Sequence, residues 1–127
     1  MISASRATTI LPVRDLERAR TFYEKTLGLR PRDARQEQSY LFSEDGHTGI
    51  ELILRPDSEP SGTTELSFEV EDIVAEVASL ERNGVALEDY DLPGLKTVNH
   101  IADSDHLRAA WFTDTEGNIL CLHQVLD

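Results

Sequence analysis

The stretch LPVRDLERARTFYEKTLG (residues 11–28) decides the reading of this chain, because its design recurs as VEDIVAEVASLERNG (residues 70–84). In both, a short strand-like run ends in Val-x-Asp: Val13–Arg14–Asp15 in the first copy and Val70–Glu71–Asp72 in the second. A helical pattern follows and closes on Gly28 or Gly84. Asp is a good N-cap, since its carboxylate accepts a bond from an otherwise orphan backbone N–H. Leu16, Ala19, Phe22, Tyr23 and Leu27 recur at helical spacing, as do Ile73, Val77 and Leu80, and each set makes one apolar face. Two copies of one supersecondary unit are therefore expected.

Outward from these helices the pattern is mostly strands. The first copy opens with Ala7–Val13 and continues with candidates at Leu29–Arg32, Ser39–Ser43 and Gly49–Leu54. Glu44–Asp45–Gly46 reads as a hairpin turn. The turn-rich stretch 56–62 reads as a linker. The second copy opens with Thr64–Val70, and a strand at Val85–Glu88 follows its helix. Residues 89–106 show little alternation and read as a long loop that could bind or cover a ligand. Arg108–Thr113 and Asn118–Gln124 make a closing hairpin around Asp114–Thr115–Glu116–Gly117. The expectation is an α+β fold: one domain, residues 1–127, of two βαβββ modules (about 1–57 and 63–127). They would form a cupped mixed sheet with helices on its outer face.

The totals exclude several classes. The 127 residues are 39% hydrophobic and 28% charged, as in an ordinary globular domain. Twelve Lys and Arg against 24 Asp and Glu leave a formal charge of −12. Such a field argues against nucleic acid and anionic membranes; it would concentrate a cationic ligand, or simply keep the domain in solution. No signal peptide or membrane-spanning run is evident, and the single cysteine, Cys121, rules out an intrachain disulfide. A cytoplasmic location is the expectation.

Alternation sorts the strand residues onto two faces. Leu66, Phe68 and Val70 should meet the helices, leaving Glu65, Ser67 and Glu69 on the other face. Ile50, Leu52 and Leu54 likewise oppose Glu51, Ile53 and Arg55, while Leu120 and Leu122 oppose Ile119, Cys121 and His123. The second faces would line a cavity containing Thr8, Glu51, Glu65, Ser67, Glu69, Cys121 and His123. Trp111, Phe42, Tyr40 and Tyr90 are aromatic candidates for the same cavity or for the core. His100 and His106 are candidate acid–base groups or plain surface histidines. No Ser-His-Asp or Cys-His arrangement can be argued from spacing.

Residues 11–28 resemble the opening of the vicinal oxygen chelate superfamily, and WFTDTEGNIL (residues 111–120) resembles its closing hairpin. That group holds glyoxalase I, extradiol dioxygenases, fosfomycin-modifying enzymes and bleomycin-resistance proteins. The resemblance implies a homodimer and a divalent metal held by His and Glu side chains. Its four ligand positions fall on Thr8, Glu51, Glu65 and Cys121, so only Glu51 keeps the family's residue type. The favoured expectation is thus a small-molecule binding protein of the bleomycin-resistance type without the usual metal, its ligand contacting Thr8, Glu51, Glu65, Ser67, Glu69, Trp111, Cys121 and His123. The alternative is a metal-dependent glyoxalase-type lyase, isomerase or dioxygenase using Glu51 with Glu65 and Cys121 or His123. A third reading is an interaction module that kept the fold and lost the cavity.

Overall fold

The structure is a computed structural model that describes residues 1–36, 39–42 and 49–127, with backbone alone for 33–36 and 39–41. The chain divides into two compact units, Met1–Glu59 and Pro60–Asp127. Each is an open mixed sheet with a helix on one face, and together they give the α+β class.

In the first unit, after a 3₁₀ turn at Ile2–Ala4, β1 (Thr8–Val13) leads into α1 (Leu16–Thr21). Asp15 caps this helix, its Oδ1 accepting from Arg18 N–H at 3.1 Å. The helix then widens into a π-helical segment at Phe22–Thr26, where Leu27 N–H reaches Phe22 C=O at 3.0 Å. The sequence pattern predicts one continuous α-helix here. The wider turn accommodates two adjacent aromatic residues, Phe22 and Tyr23, both buried. Tyr23 packs against Phe42 with ring centroids 6.0 Å apart. Strands β2 (Pro31–Gln36), β3 (Ser39–Phe42) and β4 (Gly49–Leu54) complete the sheet in the order β1-β4-β3-β2. β1 runs parallel to β4 and the other pairs are antiparallel. The second strand begins at Pro31, two residues later than expected, because Gly28 (φ 75°) turns the chain out of the helix first. The expected turn at Glu44–Asp45–Gly46 lies outside the described residues.

The second unit repeats this order with two further strands. β5 (Thr64–Glu69) is followed by α2 (Ile73–Arg82), capped by Asp72 Oδ1 on Ala75 N–H at 3.2 Å. The side chain of Gln124 also accepts from Ile73 N–H at 3.0 Å, tying the helix start to the last strand. Five strands follow, β6 (Asp91–Leu92), β7 (Leu95–Val98), β8 (Ile101–Asp103), β9 (Leu107–Thr113) and β10 (Ile119–Val125), and the sheet order is β5-β10-β9-β8-β7-β6, with β5 parallel to β10 and every other pair antiparallel. α2 places Ile73, Val77 and Leu80 against a face built from Ala110 and Phe112 of β9 (Leu107–Thr113) and Leu120 and Leu122 of β10. Burial of this apolar surface is the main stabilising term.

Two expectations fail in this unit. Residues 89–106 are not a long loop: they hold β6 (Asp91–Leu92), β7 (Leu95–Val98) and β8 (Ile101–Asp103). Asn99 and His100 turn β7 into β8, with φ of 52° and 73°. A two-residue hairpin of the type whose twist suits flanking strands needs positive φ at both positions. The strands have only two to four residues each, too few to display alternation. The strand expected at Val85–Glu88 is a single bridge, Leu87 to Phe112. Among the described residues, no helix is long and apolar enough to cross a membrane.

Candidate functional site

The register of the second sheet assembles a row of functional side chains on the face away from α2. β10 pairs with β5 so that Cys121 stands beside Ser67 and His123 beside Glu69. On its other side Cys121 pairs with Trp111 of β9. Ser67 and Glu69 are two residues apart on one strand and so share a face. Tyr90 extends the row: its ring meets Trp111 edge to face, with centroids 5.4 Å apart and planes at 88°.

The polar end of the row is a connected network. The Oγ of Ser67 lies 2.6 Å from Nδ1 of His123. The other ring nitrogen, Nε2, lies 3.5 Å from Oε1 of Glu69. A carboxylate beside Nε2 favours a proton there, which leaves the Nδ1 lone pair to accept from the Ser67 hydroxyl. Cys121 is buried beside Ser67, and burial pushes its thiol pKa up, outweighing the polar contacts with Ser67 and the Ala110 backbone that act the other way. It is therefore a protonated, weakly polar side chain at neutral pH.

The aromatic end is held by backbone. Glu88 N–H donates to Trp111 C=O at 2.7 Å, and Thr97 Oγ1 accepts from Tyr90 N–H at 2.9 Å. Thr97 N–H in turn donates to Tyr90 C=O at 2.9 Å. The two rings are thus fixed by the extra hairpin that the sequence did not reveal. Burial, Glu88 and Cys121 together raise the Tyr90 phenol pKa, so it stays a neutral donor.

Not every expected residue joins this row. Glu65 lies at the start of β5, where Ser61 Oγ donates to its Oε1. An irregularity between Ile119 and Leu120 offsets it from the Cys121 pairing. Thr8 and Glu51 belong to the first unit, where Thr8 pairs with Gly49 and Glu51 with Ile10. Thr8 is exposed and Glu51 half-buried. The Tyr40 side chain lies outside the described residues, and Phe42 is core.

His100 does have partners, which spacing could not reveal. Its Nδ1 lies 2.9 Å from Oδ1 of Asp89 and its Nε2 3.5 Å from Oε1 of Glu81 on α2. His106 is exposed, and its C=O accepts from Leu126 N–H at 2.9 Å. On the α2 side of the same sheet, Val74, Ala78, Val98 and Ile101 line a groove of about 670 Å³. No sequence signal marked it.

With this geometry in hand, the comparisons with known proteins are decisive for the family. The sequence profile of the Glyoxalase/Bleomycin resistance protein/Dioxygenase superfamily matches residues 6–122. The chain belongs to this superfamily. No curated protein matches it closely enough to count. Solved structures of superfamily type do. A glyoxalase/bleomycin resistance protein from Streptomyces sp. CB03234 is 27% identical, with a TM-score of 0.70 over 94% of this chain and 100% of that one. TnmS3, an antibiotic binding protein from the same Streptomyces, is 24% identical, with a TM-score of 0.76 over 99% of both chains. The fosfomycin resistance protein FosX from Listeria monocytogenes, in complex with Mn(II), is 17% identical, with a TM-score of 0.67 over 97% of this chain and 90% of that one.

The superfamily includes metal-dependent members, so the donor set here is worth testing against a divalent ion. An open metal site typically takes three good protein ligands. Thr8 offers a neutral hydroxyl, and the Cys121 thiol must lose a proton that burial retains. Nδ1 of His123 already faces Ser67. Among the described residues, no three His, Cys, Asp or Glu side chains cluster to hold a metal ion. These residues are a poor fit to the superfamily's metal.

Proposed function

We propose that this protein binds a small aromatic ligand on the exposed sheet face of its second unit, without the superfamily's usual metal. The observation that carries this reading is the row Tyr90–Trp111–Cys121–Ser67–His123–Glu69. One end presents flat aromatic surface and the other presents hydrogen-bonding groups. Ligand sites commonly combine apolar walls with a few placed polar groups in this way. A cationic or amine-bearing aromatic suits the face best: Glu69 is exposed at the polar end, and the formal charge of −12 raises the local concentration of cations. An antibiotic-binding protein and a glyoxalase/bleomycin resistance protein among its structural neighbours support the binding of a small molecule. A homodimer, by family resemblance, and a cytoplasmic location, from the single cysteine, are part of the same reading.

Trp111 is the only tryptophan, so its fluorescence reports directly on this face. Titration with cationic aromatic drugs should quench it, and Trp111→Phe and Glu69→Gln should each weaken binding in calorimetry. Metal content of the purified protein and melts with added zinc, nickel, manganese and iron(II) test the other half. Near-stoichiometric metal, lost on Glu51→Ala, would overturn the metal-free reading.

A further inference from the structure

We infer that Ser67 is a base-activated nucleophile that accepts an acyl group from activated esters. A serine hydroxyl becomes nucleophilic when a base within hydrogen-bond reach takes its proton and a third group orients that base. The nucleophile and base are in place in the second unit, with Ser67 Oγ 2.6 Å from His123 Nδ1, and Glu69 supplies the third part as a looser ion-pair contact, its Oε1 3.5 Å from His123 Nε2.

The sheet itself builds the arrangement. Ser67 and Glu69 lie two residues apart on β5, and His123 on the parallel strand β10 stands beside Glu69. The order of roles is that of a serine hydrolase, with the two imidazole nitrogens exchanged. Ser67 is solvent-exposed, so a reagent can reach its oxygen. The neighbouring Cys121 is no competitor, being buried and held as a thiol.

In the step itself, Ser67 Oγ attacks the ester carbonyl and its proton passes to His123 Nδ1. The carbonyl–oxygen bond to the leaving group breaks, and the phenolate departs. The imidazolium beside Glu69 then gives its proton to water. Acyl-Ser67, phenolate and one proton are the products, and no oxidant or co-reactant is needed. The substrate class is an ester with a good leaving group.

The test is reaction of the full chain with p-nitrophenyl acetate, following p-nitrophenolate release and mapping the acetyl group by peptide mass spectrometry. One acetyl group on the peptide containing Ser67 is expected. Its rate should fall about 10²-fold in His123→Gln, the lower end of what a positioned base contributes, and several-fold in Glu69→Gln. Glu69 is 70% exposed, so that second variant tests the relay without disturbing the fold. Acetyl groups confined to lysines or Cys121, or a Ser67 rate unchanged in both variants, would overturn the inference. Since it concerns covalent reactivity, its failure would leave reversible ligand binding untouched, and the converse also holds.

Discussion

Trp111 and Tyr90 meet edge to face at 5.4 Å, although one sits on a central strand and the other in a connection. The contact fixes the connection as well as the rings, because Tyr90 is tied by backbone to Thr97 and the strand beyond it. Such pairs contribute about 0.5–1.5 kcal/mol beyond area burial. Tyr90→Ala should therefore shift the emission of the only tryptophan to longer wavelength and lower stability by about that amount or more. An emission spectrum identical to the parent's would show that the rings do not meet in solution.

Core and surface positions of the second unit should separate sharply in denaturant unfolding. Phe112 is fully buried between α2 and its sheet, and Phe112→Ala should cost about 3–5 kcal/mol. Val98 is 65% exposed on the α2-side groove, and Val98→Ala should stay within about 0.5 kcal/mol. Equal effects at the two sites would contradict the packing described.

The capping aspartates make a subtler prediction. Asp72→Ala removes the acceptor for Ala75 N–H and should destabilise by about 1 kcal/mol. Asp72→Asn keeps an acceptor oxygen and should recover most of that loss in the same melts.

Cys121 gives stability a pH dependence. Its thiol pKa is raised in the folded state, so above the ordinary thiol pKa the unfolded chain releases a proton that the folded chain keeps. The contribution of Cys121 is thus fully present below that pKa and declines as pH rises toward the folded value. Thermal melts across the alkaline range should fall more steeply for the parent than for Cys121→Ser. Parallel curves would remove Cys121 from the account.

The sequence announces this fold at its helix starts. Asp15 and Asp72 cap as expected, and the apolar positions of α2 are the buried ones. Alternation also sorts β5 and β10 onto the correct faces, so that Ser67, Glu69, Cys121 and His123 share a side. Their network was invisible because it depends on a parallel register between strands more than fifty residues apart, and spacing carries no information on such pairing. The hairpins of residues 89–106 stay hidden for a different reason: their strands are too short for period-2 alternation, and although Pro93–Gly94 marks the β6–β7 turn, the β7–β8 turn at Asn99 and His100 carries no glycine. The partners of His100 come from α2 and from the connection before β6, so only the folded chain brings them together.

The parallel pairing of β5 with β10 also orders the birth of the molecule on the ribosome. The first unit can close its parallel ladder once β4 has emerged, at residue 54. The second unit waits longer, because β5 pairs with β10, its last strand, which follows two more strands than β4 does in the first. At about 5–20 residues per second, the 119 − 64 = 55 residues between paired Thr64 and Ile119 leave β5 with an open edge for several seconds, somewhat longer than the 49 − 8 = 41 residues between Thr8 and Gly49 leave β1.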